Sequence, residues 1–179
     1  MPNEDDYISP WRLGLVASEP YEFALPSGET ITIAKHSMLF DAWFGAPIHD
    51  TYGGKTVVNI DGQPLFAELA ILHLLQDDGF DGVWVDTYRN RFRRSMAQVR
   101  CTLPQWVQER FDAILTLNGR RGGCWDVLAW KNNQIVFVES KRKRKDRIRL
   151  SQRRWLAAAL KAGIDADCFS ICEWDLREN

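Results

Sequence analysis

Five side chains in this sequence could share one piece of chemistry: Asp126, Glu139, Lys141, Glu68 and Gln152. Trp125 to Trp130 and Ile135 to Ser140 read as two apolar strands with Asn132-Asn133 near the middle of the span. Asparagine tolerates positive φ, so the spacing predicts a two-residue primed turn, which sets Trp130 opposite Ile135, Leu128 opposite Phe137 and Asp126 opposite Glu139. Opposed residues share a face of the sheet, with Cβ atoms about 4.5 to 5.5 Å apart. Lys141 projects from that face as well, while Val136, Val138 and Ser140 point away.

Both faces of Ile135 to Val138 are apolar, which marks a central strand covered on both sides and makes an acid pair at its end costly. Either Lys141 forms an ordinary ion pair with one acid at the sheet's edge, or a divalent cation lies between the acids with Lys141 facing the reaction. Opposed acids beside a lysine favour the cation, because strained charge clusters concentrate at functional sites. Oxygen ligands of this kind suit Mg²⁺ or Mn²⁺ rather than zinc. Glu68 has Leu65, Ile71, Leu72 and Leu75 at −3, +3, +4 and +7, on the buried stripe of a helix, and so needs a partner. Gln152 opens the apolar face made by Trp155, Leu156, Ala159 and Leu160. Each alone reads equally well as a hydrogen-bonded core polar residue; with the hairpin they form a convergent set.

The elements that must position these residues follow from punctuation and period. Tyr21, Phe23 and Leu25 alternate, Pro26-Ser27-Gly28 turns, and Ile31 and Ile33 alternate again, so residues 20 to 34 read as a hairpin. A glycine- and proline-rich stretch from 45 to 63 suggests a boundary near residue 60. It divides a β-hairpin extension (1 to 60) from a second unit (61 to 179) with an insertion at 88 to 122. Pro64 opens a helix that runs to about Asp78 and stops at Gly79. Gly82 to Asp86 is a short strand, Pro104 to Leu117 a helix within the insertion, Leu150 to Ala162 a helix, and Cys168 to Trp174 a last strand. Without the insertion, the order from residue 64 is helix, strand, strand, strand, helix, strand. The fold class is α/β, with a mixed central sheet flanked by helices.

Composition narrows the partners. With 45% hydrophobic residues in 179, the chain can bury a real core. Its longest apolar run, Phe66 to Leu75, is interrupted by Glu68 and His73 and is too short to cross a bilayer. No membrane association is expected, and the acidic start at Glu4, Asp5 and Asp6 lacks the charge of a signal peptide, which favours an intracellular location, in cytoplasm or nucleoid, or in the nucleus of a eukaryote. Cys101, Cys124, Cys168 and Cys172 form no CxxC pair and read as reduced thiols. Trp84, Trp125, Trp130, Trp155 and Trp174 fall in apolar segments and read as core. The net charge of −1 hides a division. Residues 1 to 88 hold three basic and fourteen acidic side chains, residues 89 to 161 nineteen and five, and residues 162 to 179 one and five. A middle section so basic, with Arg89, Arg91, Arg93 and Arg94 and then Lys141 to Lys145 unbroken, suggests a polyanionic partner rather than a solvated face paired with the acidic part. The run Lys141 to Lys145 could also pass for a nuclear-import signal.

Asp126, then Glu139-Ser140-Lys141, then Ser151-Gln152 and Trp155 on the next helix, resemble the PD-(D/E)xK nuclease superfamily, and within it most closely the VRR-NUC (virus-type replication-repair nuclease) domain. The resemblance spans residues 64 to 174 and is dense from 123 to 164. Trp125 stands where the family has proline, and serine is an uncommon middle residue of E-x-K. The resemblance implies a restriction-endonuclease-like αβββαβ core and a Mg²⁺- or Mn²⁺-dependent nuclease acting on DNA, in particular structured or branched DNA, with RNA left open. It further implies that Asp126, Glu139 and the Ser140 carbonyl hold the metal, that Lys141 handles the attacking water, and that Glu68 and Gln152 match the family's helix acid and glutamine. Arg142, Lys143, Arg144, Lys145, Arg147, Arg149 and Arg153 would hold flanking phosphates. Small stand-alone members often dimerise, so a homodimer is a further expectation. Two other readings are a non-catalytic nucleic-acid-binding module on a nuclease scaffold and a protein-interaction subunit that uses the basic segment.

Overall fold

The computed structural model describes residues 18–97 and 99–178; the acidic start at Glu4 to Asp6 lies outside them. β1 (Ser18–Ala24) and β2 (Thr30–Ala42) pair as the hairpin that the alternation predicts, turned at Gly28 with φ 89°. β2 runs eight residues beyond the expected end at 34, because its second half has partners of its own: β3 (Val57–Ile60) on one side and β9 (Phe169–Leu176) on the other.

The helix expected from Pro64 starts later. Pro64, Leu65 and Phe66 belong to β4 (Gln63–Phe66), which pairs antiparallel with β3 across Asp61-Gly62, both at positive φ. β4 is the edge strand, a position where proline's missing N–H is tolerated. α1 (Ala67–Asp77) then buries Ala67, Glu68, Ile71, Leu72 and Leu75, and the chain leaves it through Gly79, with φ 87°. There follow β5 (Asp81–Asp86), β6 (Arg91–Arg93), α2 (Gln105–Asn118), β7 (Val127–Lys131), β8 (Gln134–Arg142) and α3 (Leu150–Lys161), before a short 3-10 turn leads into β9. Setting aside β6 and α2, the order from α1 is helix, strand, strand, strand, helix, strand.

The nine strands form one mixed sheet ordered β4-β3-β2-β9-β8-β7-β5-β6, with β1 also on β2. β8 and β9 are parallel, as are β9 and β2, and the remaining pairs are antiparallel. The sheet is therefore continuous across residue 60, which falls within the β3–β4 hairpin. β8 is internal, and its alternation sorts two cores. Ile135 and Phe137 face α2 and α3 together with Trp125, Phe111 and Trp155, while Val136 and Val138 face α1 together with Ile71, Leu72 and Trp174. Trp84, Trp125, Trp130, Trp155 and Trp174 are all buried. The four cysteines are free thiols; burial raises Cys124 and Cys172 well above the ordinary range and Cys168 to about 11. Among the described residues no helix is long and apolar enough to cross a membrane.

Candidate active site

Asn132 and Asn133 adopt φ 48° and 63°, the primed turn that their side chains allow. The register runs from Lys131 opposite Gln134 to Val127 opposite Val138, where the pairing ends; Asp126, expected opposite Glu139, is the next residue outside β7 and reaches β8 through its carboxylate. Asp126 is tied in on both sides: its main-chain carbonyl accepts from the Val85 N–H of β5 at 2.7 Å, and its Oδ2 accepts from the Ser140 N–H of β8 at 3.0 Å.

Glu139 is 1% exposed, at the end of that covered strand. Its Oε1 accepts from Lys141 Nζ at 2.9 Å and from Gln152 Nε2. Gln152 has no freedom to turn its amide around. Its Oε1 accepts from the Arg149 N–H at 2.8 Å, closing the first turn of α3, so the NH₂ faces the acid. Trp125 Nε1 donates to the Gln152 carbonyl at 3.2 Å, docking the start of α3 against the approach to Asp126. The two segments come so close that a Cβ at Gly123, itself at φ 90°, would collide with the Ser151 carbonyl.

Glu68 arrives from α1, in the first turn, and pairs through Oε1 with Lys55 Nζ. Lys55 lies in the connection between β2 and β3 and was not picked out from the sequence. The signal was present: it is the only cation between Lys35 and Arg89, directly after Gly53-Gly54.

Burial is the main force on the acids. It pushes the Asp126 carboxyl well above its ordinary range, with the Glu139 and Glu68 charges adding to the shift and Lys55 and Lys141 opposing it. Burial also raises Glu139, while the Lys141 charge and its hydrogen bond pull it back. Asp126 and Glu139 thus titrate as a pair, and their burial disfavours ionising both at once. Glu68 Oε2 and Glu139 Oε2 are buried with no hydrogen-bond partner. All-oxygen donors with unused buried lone pairs fit a hard divalent cation, although among the described residues no three His, Cys, Asp or Glu side chains stand at metal-holding spacing.

The Ser140 hydroxyl points to the opposite face, accepting from Trp174 Nε1 at 2.9 Å, so only the backbone of Ser140 belongs to the acid cluster. The basic residues divide. Arg142 donates from its guanidinium to Thr56 Oγ1 at 2.8 Å and Asp175 Oδ1 at 3.5 Å and lies over the Trp174 ring. Arg153 donates to the Ala24 carbonyl at 2.6 Å and covers Phe23. Lys143, Arg144, Lys145, Arg147 and Arg149 are exposed and make no ion pair among the described residues. Two hollows meet at Lys55 and Glu68: one of about 290 Å³ is bordered by Ser140, Arg142 and Lys145, the other of about 240 Å³ by Tyr52, Trp84, Tyr88 and Asp126. No family model matches this chain, and no curated protein matches it in sequence.

Proposed function

We propose that the protein is a Mg²⁺- or Mn²⁺-dependent nuclease that hydrolyses phosphodiester bonds in DNA, on a restriction-endonuclease-like αβββαβ core of the PD-(D/E)xK type. The observation that carries this reading is the convergence of Asp126, held on the Ser140 N–H, with Glu139, to which Lys141 and Gln152 both donate. A fold has no need to bury Glu68 and Glu139, leave one carboxylate oxygen of each unsatisfied and set Asp126 beside them with its pKa raised, unless a ligand uses them.

Asp126, Glu139 and the Ser140 carbonyl would hold the cation, with Glu68 at its edge. When bound, it would supply a Lewis acid against the charge that builds on the phosphate. Gln152 keeps Glu139 aimed at the cluster. The Lys141 ammonium would hold the attacking water and the scissile phosphate by hydrogen bonds. The water would give one proton to solvent as its oxygen bonds to phosphorus and the bond to the 3′ oxygen breaks, and the departing 3′ oxygen would take up a proton from solvent. Lys143, Arg144, Lys145, Arg147 and Arg149 would grip flanking phosphates without reading sequence.

One observation favours a second reading. Lys141 on Glu139 and Lys55 on Glu68 already neutralise the cluster without metal, as suits a nucleic-acid-binding module that has lost catalysis. Labelled single-stranded, duplex, flap and four-way-junction DNA, incubated with Mg²⁺, Mn²⁺ or EDTA, separates the two. Metal-dependent cleavage lost in Glu139→Gln supports the nuclease; binding with no cleavage of any substrate overturns it.

A further inference from the structure

We infer that the smaller hollow beside the acids receives one unpaired nucleobase, that Tyr88 is the ring on which it stacks, and that the substrate presents an unpaired nucleotide at the scissile phosphate. This rests on the nuclease reading.

The hollow of about 240 Å³ is enclosed by Tyr52, Trp84 and Tyr88 and reaches Lys55, Glu68 and Asp126. That is below the roughly 300–1,000 Å³ of sites for drug-sized ligands, a size suited to one ring system. Tyr52 is a rigid wall. Its hydroxyl donates to Asp86 Oδ2 at 2.7 Å and accepts from Arg91 at 3.2 Å, and its ring packs against Phe66 and Trp84 at 5.4 and 5.3 Å. Tyr88 is the opposite case. It sits in the turn between β5 and β6, anchored by the Arg89 N–H donating to Asp86 Oδ1 at 3.0 Å, and is 86% exposed. A large ring held on a fixed turn at the mouth of a charged hollow is a stacking platform without an occupant of its own.

Geometry then selects the substrate. In a duplex both faces of a base are covered by its neighbours, so only a base out of the stack can lie on Tyr88. The same nucleotide would place its phosphate over Asp126 and Glu68. The backbone would continue past the second hollow, where Lys145 stands. The chemistry is that of a single strand, a flap or a displaced end, rather than of continuous duplex.

The test compares parent, Tyr88→Ala and Tyr88→Phe for affinity in EDTA toward single-stranded and duplex DNA, with 2-aminopurine beside the mapped cleavage position in the single strand. In Tyr88→Ala the ratio of single-strand to duplex affinity should fall about 5- to 150-fold, and the quenching of 2-aminopurine should disappear. Tyr88→Phe should keep both. An unchanged ratio in Tyr88→Ala, whether affinity falls on both substrates or on neither, overturns the stacking role while leaving the nuclease reading intact. A parent that cuts no DNA with Mg²⁺ or Mn²⁺ overturns that reading and this inference with it.

Discussion

The two arginine-rich stretches of this chain look alike as sequence and end in opposite places. In the first, Arg89 pairs with Asp50 at 2.5 Å, Arg91 with Asp86 at 3.4 Å and Arg94 with Asp81 at 2.7 Å, while Arg93 is buried against the Tyr52 hydroxyl and the carbonyls of Met96 and Ala97. In the second, Lys143, Arg144, Lys145, Arg147 and Arg149 make no ion pair among the described residues, and the acids nearby are engaged by Lys55, Lys141 and Arg142. The first stretch is a closed account of charge that fastens β5 and β6 to the loop around Tyr52. The second leaves cations outside and unsatisfied carboxylate oxygens inside. A charge run shows a partner only when the fold does not supply one. The polyanion inferred from the middle section therefore draws its support from residues 143 to 149 and not from 89 to 94.

Substitutions should divide along that line, stability against function, and the largest effect belongs to Lys141. Lys141→Ala is expected to lower cleavage by about 10²–10⁴-fold while DNA affinity in EDTA stays close to the parent's, because the side chain faces Glu139 and not a flanking phosphate. Single-turnover cleavage and anisotropy titrations measure the two separately. A proportional loss of both would place Lys141 with the surface cations and erase the distinction between site and grip.

In the closed network the loss should appear as stability. Arg93→Ala removes a fully buried side chain that donates to three oxygens, leaving a cavity and two bare carbonyls, which should cost about 3–5 kcal/mol in urea unfolding. Nucleic-acid affinity of the fraction that remains folded should not change. If Arg93→Ala instead folds normally and weakens DNA binding, the first stretch belongs to the interface after all.

The outward stretch should do the reverse, with a smaller effect. Replacing Lys143, Arg144, Lys145 and Arg147 together by alanine should leave the unfolding curve where it is and reduce the salt dependence of duplex binding by a slope of roughly 3–4, at about 0.9 per lost phosphate contact. A slope that does not move would mean these side chains face away from the nucleic acid.

How much of this could be read beforehand depended on how local the cause was. The Asn132-Asn133 turn fixes its own φ values, so the β7–β8 register from Lys131 opposite Gln134 to Val127 opposite Val138 follows from two residues and a count. Gln152 was legible because an amide on an apolar stripe has few ways to be satisfied. The partner of Glu68 was not, because Lys55 lies in a connection with no period, and Pro64, which by sequence opens a helix, belongs instead to the strand β4 that leads into α1. The β2–β9 pairing was equally hidden, since it joins residues such as Phe40 and Leu176 from opposite ends of the described chain. The destinations of Arg89 and Arg93 depend on Asp50 and Tyr52 some forty residues away, and no spacing rule reaches that far.

The smallest expected shift tests the pair at the centre of the open region. The Asp126 carboxyl lies well above its ordinary range in the folded protein, so the folded state holds a proton that an unfolded chain, near a pKa of about 3.9, gives up. Stability without metal should therefore be greatest below that unfolded value, decline as pH rises through it toward the raised folded value, and level off above. Asparagine imitates the protonated acid: its Oδ1 can still accept from the Ser140 N–H and its amide can donate to Glu139. In EDTA at neutral pH, Asp126→Asn should melt at or slightly above the parent temperature and show a flatter pH dependence, while cutting nothing. Millimolar Mn²⁺ should then raise the parent's melting temperature and barely move the variant's, because only the parent keeps the charged ligand. Melts across pH 4 to 8 with EDTA and with Mn²⁺ decide it. A variant that is less stable than the parent in EDTA, keeps the parent's pH slope and responds equally to Mn²⁺ would mean that Asp126 carries neither the proton nor the metal. The acids would then form an ion-paired cluster as closed as the one around Asp86.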